Sequence, residues 1–120
     1  MFVQMAQYEE LSIDKGSDIT LQLELEDTSG NSKDLSNHTV AGKLKKTYNT
    51  PDAEATAFLT EVEAPATGGV VNLSLTNAQT QALKAGRYVY DVEISFVDSD
   101  ASTVVERILE GTITVTPSVT

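Results

Sequence analysis

The chain has 120 residues, enough for one domain built around one core. It contains neither cysteine nor tryptophan, so no disulfide or thiolate metal site holds the fold and packing must do so. A formal net charge of -10 and a pI near 4.3 argue against binding a phosphate backbone, and no window approaches the ~20 apolar residues of a membrane span.

Residues 1–7 (MFVQMAQ) read as an N-terminal arm. They lack the basic and apolar regions of a signal peptide, which implies synthesis in the cytosol, and Met5 before Ala6 offers a second start. Residues 8–13 form a first short strand, closed by a turn at Lys15-Gly16. Residues 18–27 give the cleanest alternation, with Ile19, Leu21, Leu23 and Leu25 inward and Thr20, Gln22, Glu24 and Glu26 outward. A polar loop (TSGNS, 28–32) and a bridging segment anchored by Leu35 lead to a strand over 40–46. Residues 48–54 (YNTPDAE) are a loop, because Pro51 cannot hold a place in a central strand. Strand character resumes over 55–63, is punctuated by PATGG at 65–69, and returns over 70–75 with Val71, Leu73 and Leu75 inward.

Residues 73–96 organise the rest. Thr76 and Gln79 have the spacing of a capping box, which predicts a helix over 77–84 with Ala78, Ala82 and Leu83 facing in and Gly86 ending it. The longest strand follows over 87–97, with Tyr88, Tyr90, Val92, Ile94 and Phe96 on one face. A tight turn at 98–102 (DSDAS) sends the chain back through strands over 103–109 and 112–116, with a bulge expected at Glu110-Gly111. Residues 117–120 are a short tail begun by Pro117. About eight strands plus one short helix predict an all-β fold, a two-sheet antiparallel sandwich of immunoglobulin-like kind in a single domain over 1–120. A small closed barrel is the alternative.

Few residues suggest chemistry. His38 is the sole histidine and sits between Asn37 and Thr39 without a nucleophile elbow or cysteine ligands, so it reads as a turn residue. Asp98 and Asp100 have the spacing of a calcium loop but lack its glycine and distal glutamate, which leaves an ordinary Asx-type turn. Asp91 and Glu93 share the outward face of the long strand. Lys43, Lys45 and Lys46 form the one basic patch on an acidic molecule, and with Tyr48 on the following loop they are the candidate partner-binding residues. No catalytic, metal or cofactor site emerges, and the expectation is a protein that is not an enzyme.

Four stretches resemble a family of small bacteriophage virion proteins: residues 13–18 (IDKGSD), 34–40 (DLSNHTV), 73–94 (LSLTNAQTQALKAGRYVYDVEI) and 106–120 (ERILEGTITVTPSVT). Together they hold 50 of the 120 residues, and the first runs on into the strand that follows it. The pattern is similar to β-sandwich domains of phage tail, baseplate and neck assemblies, including the N-terminal domain of baseplate upper proteins, and to short structural proteins of marine T4-like phages. In the long baseplate proteins a helical or fibre segment follows the sandwich. None follows here, so the resemblance implies a docking or adaptor subunit located in the virion. It would bind other virion proteins and its own copies, with no cofactor, nucleic acid or membrane. A capsid-surface decoration protein is one alternative, and a carbohydrate-binding host-attachment module, with a glycan as partner, is another.

Overall fold

A computed structural model describes residues 7–119; the first six residues of the expected arm, with the Met5 start, and the final Thr120 of the tail lie outside it. The strands are β1 (Gln7–Asp14), β2 (Ile19–Glu24), β3 (Thr39–Lys45), β4 (Thr56–Ala57), β5 (Leu59–Val62), β6 (Val70–Leu75), β7 (Gly86–Val97) and β8 (Thr103–Thr116), with one α-helix, α1 (Asn77–Ala82). They form a five-stranded sheet in the order β1-β8-β7-β3-β4 and a three-stranded sheet in the order β2-β6-β5. The two sheets are separate, so the molecule is a sandwich and not a closed barrel.

The long strand β7 lies at the centre of the larger sheet, as its length and alternation predict. Val92 and Ile94 are fully buried on it, and they face Val71 and Leu73 of β6, the central strand of the smaller sheet. One further contact identifies the sandwich type. Tyr88, near the start of β7, donates its hydroxyl to the Lys84 carbonyl at 2.7 Å. A tyrosine at this corner, bonded a few residues upstream, is a hallmark of immunoglobulin-like sandwiches, as is a larger sheet with β8, β7 and β3 side by side. Tyr90 stands two residues later, where antibody domains carry a disulfide cysteine, and fills that volume with an aromatic ring.

Several local expectations are corrected. β1 runs parallel to β8 and not antiparallel. The alternating run over 18–27 yields a strand of six residues. Its inward side chains are only half-buried because β2 is an edge strand. The run over 55–63 splits at Phe58: β4 pairs with β3 in one sheet, and β5 with β6 in the other. Residues 103–116 are one continuous strand. Its register break lies opposite Val92/Glu93, where Ile108 is the extra residue between Arg107 and Leu109, and not at Glu110-Gly111.

The capping box forms as expected, with Thr76 and Gln79 exchanging bonds. The helix nevertheless stops at Ala82, Leu83 returns to extended backbone, and Gly86 opens β7 without ending the helix. Ala78 and Ala82 are exposed; Thr80 and Leu83 form the inner face. The Thr80 hydroxyl accepts from Gly16 N at 3.1 Å and donates to Ser17 O at 2.8 Å, which ties the β1–β2 turn to the helix.

Candidate functional site

Strand pairing decides which side chains share the outward face of the larger sheet. On β7, Val89, Asp91 and Glu93 point out between buried neighbours. Lys43 on β3 and Glu110 on β8 both pair with Asp91, and Ala41 and Arg107 both pair with Glu93. A depression of about 440 Å³ lies over these residues, and Tyr48 and Asp52 also line it.

The depression carries both signs of charge. Arg107 bridges Glu110 at 3.1 Å and Asp91 at 3.5 Å. The bond to Glu110 is the main reason the Arg107 guanidinium is held even more firmly protonated than usual. Lys45 reaches Asp52 at 2.6 Å, and this hydrogen bond, helped by the charges of Lys45 and Lys43, holds the Asp52 carboxyl below its ordinary range. Lys43 makes no ion pair of its own among the described residues. Pairs this exposed add little stability. They fix side-chain positions on a surface more than they hold a fold.

Of the four residues singled out in the sequence, Lys43, Lys45 and Tyr48 come together here. Lys46 does not. Just past the end of β3 it turns to the opposite side, where its ammonium lies 5.0 Å from the Tyr88 ring centroid. Tyr48 is 78% exposed. Asp91 and Glu93 face outward as their alternation predicts. Asp52, Arg107 and Glu110 were not singled out. Arg107 and Glu110 are three apart, which puts two strand residues on opposite faces; the extra residue Ile108 restores them to one side.

The other candidates take structural roles. His38 stacks on Phe96 with centroids 4.7 Å apart, and its Nδ1 donates to Ser36 O at 2.9 Å, which defines the tautomer. The Asp98 carboxylate accepts from Asp100 N and Ser102 N, the Asx-type turn expected. Among the described residues no group of three or more His, Asp or Glu side chains is placed to hold a metal ion.

No family model and no curated protein matches the sequence. Solved structures do resemble it. Murine CRIg aligns over 90% of this chain and 92% of its own, with a TM-score of 0.53 and 13% identity. A Listeria monocytogenes internalin-like protein aligns over 89% of this chain at 23% identity and a TM-score of 0.43, and this chain spans only 27% of that protein's length. AggA, the major subunit of aggregative adherence fimbriae type I from Escherichia coli, aligns over 91% of this chain and 89% of its own, with a TM-score of 0.43 and 11% identity. The likeness to CRIg is one of fold, and it agrees with the immunoglobulin-like topology.

Proposed function

We propose that this protein is a non-enzymatic structural subunit of a bacteriophage virion, a docking or adaptor protein of the tail, baseplate or neck that acts through protein–protein interfaces. The observation that carries the structural side of this reading is the outward face of the larger sheet. It is a broad surface with a mixed-charge depression, and it presents exposed tyrosines and valines around it. Such a surface suits a protein partner better than a reacting small molecule. The phage assignment itself is supported by the sequence resemblance, above all at residues 73–94.

Mass spectrometry of purified phage heads and tails, separated from each other, tests it. Detection at stoichiometric level in tails supports the adaptor reading. Detection only in heads moves the protein to the capsid-decoration alternative, and absence from both removes the virion reading. Tyr48, projecting beside carboxylates and amines at the rim of the depression, is the observation that favours the carbohydrate-binding alternative. A glycan array without signal eliminates it.

A further inference from the structure

The geometry points to the outward face of the larger sheet as the surface on which two copies of this chain pair, face to face, about a two-fold axis running along β7. This inference rests on the reading that the protein works through interfaces, and it names the surface and the occupant.

Among the described residues the large hydrophobic side chains left exposed are Tyr8, Tyr48, Leu59, Val97, Val105 and Val119. Four of them belong to this face. Tyr8 pairs with outward Glu110, Val105 with outward Ser95, and Val97 continues the outward side of β7; Tyr48 borders the depression. Apolar and aromatic side chains surrounding an arginine are the composition of an interface centre. The outward face of the smaller sheet is different: Thr20, Gln22 and Glu24 of β2, Asn72 and Ser74 of β6 and Leu59 and Glu61 of β5 lie there, with one exposed apolar side chain, two carboxylates and no cation among these strand residues. On a chain of net charge -10, copies repel least where the cations are.

Charge selects the occupant and the axis. β3 and β8 flank β7, so a two-fold along β7 lays β3 of one copy over β8 of the other. Lys43 and Glu110 stand at the same level, that of Asp91, and therefore meet across the axis, twice by symmetry. At the next level Arg107 lies over the small Ala41, and at the level of Ser95, Val105 lies over Thr39. At these two levels a large side chain thus faces a small one, while at the Asp91 level two long side chains of opposite charge meet. Asp91 and Glu93 each meet their own copy; Arg107 bridges Asp91 and is the strand partner of Glu93, so an arginine of each copy lies beside both like-charge contacts. A two-fold across the strands would instead lay β3 over β3, bringing the lysines of the two copies to one side and Glu110 to the other. With strands ~4.8 Å apart and ~3.4 Å per residue, the face measures roughly 20 Å by roughly 30 Å, on the order of the area a stable dimer needs.

The test is sedimentation velocity of the full chain over a range of concentrations, with the variants Lys43→Glu, Glu110→Lys and the two combined. The wild type is expected to dimerise. Either single reversal is expected to weaken the dimer roughly tenfold, because each creates two like-charge contacts, and the combined reversal is expected to restore it. Circular dichroism melts confirm that each variant is folded, and Glu61→Lys on the other sheet is expected to leave the dimer unchanged. A chain that stays monomeric, a combined variant no better than the singles, or a dimer lost through Glu61→Lys overturns the inference. A monomer found in purified tails overturns this pairing and leaves the virion reading standing. A dimer of the expected behaviour that is absent from particles does the opposite.

Discussion

The Tyr90 hydroxyl donates to the Glu9 carbonyl at 3.0 Å, and the residue paired with both Tyr90 and Glu9 is Gly111. The tyrosine thus reaches across β8 to hold the parallel strand β1. It does so where a Cβ on residue 111 would overlap the Glu9 carbonyl. A glycine in mid-strand normally weakens a sheet. Here it is the condition for the close approach of β1.

Tyr90→Phe leaves the Glu9 carbonyl without this donor and is expected to cost about 1–2 kcal/mol in chemical denaturation. Amide exchange in β1 is expected to accelerate more than exchange in β6, since the bond lost is the one that holds the edge. Gly111→Ala is expected to cost about 1–3 kcal/mol, towards the upper end because the atom in the way is backbone.

Burial, with the nearby Glu9 carboxylate and Tyr8 adding to it, pushes the Tyr90 hydroxyl up to about 12. The unfolded chain loses this proton near pH 10 while the folded chain keeps it. The stabilisation is therefore complete below pH 10 and declines as pH rises from about 10 to about 12. Denaturation midpoints across that window are expected to fall more steeply for the wild type than for Tyr90→Phe.

Thr80→Val keeps the shape of a fully buried side chain and removes both of its long-range bonds, stranding Gly16 N and Ser17 O. A loss of about 2–3 kcal/mol is expected, against about 1 kcal/mol for Thr80→Ser, which keeps the hydroxyl. A smaller loss in Thr80→Val than in Thr80→Ser would show that the methyl, not the hydroxyl, matters.

Ala101 holds φ 61 in the β7–β8 turn. Left-handed backbone costs an alanine roughly 1–2 kcal/mol, and glycine brings an entropic cost of roughly 0.5–1 kcal/mol of its own. Ala101→Gly is expected to raise stability by about 0.5 kcal/mol. Asp98→Ala, which removes the acceptor for Asp100 N and Ser102 N, is expected to lower it by about 1 kcal/mol, both read in thermal melts.

Local pattern was sufficient for the parts of this protein that depend on near neighbours in sequence. The alternation of Val71, Leu73 and Leu75 and of Tyr88 to Ile94 fixes which faces are buried, and Thr76 with Gln79 fixes where the helix begins. Asp98 fixes its turn. Strand-rich patterning fixes an all-β fold, and the separation of two sheets, which only the folded chain shows, decides for a sandwich over a barrel. Long-range contacts decided the rest. The parallel pairing of β1 depends on Gly111 admitting a backbone a hundred residues away in sequence, and nothing near Glu9 signals it. Phe58 divides one apparent strand between two sheets because its ring packs over Gly42 and beside Tyr90. The bulge at Ile108 reverses the parity of β8, so that Arg107 joins Glu110, Asp91 and Lys43 on one surface. The lysines were visible in the sequence. The carboxylates opposite them were assembled by strand register, which only the folded sheet defines.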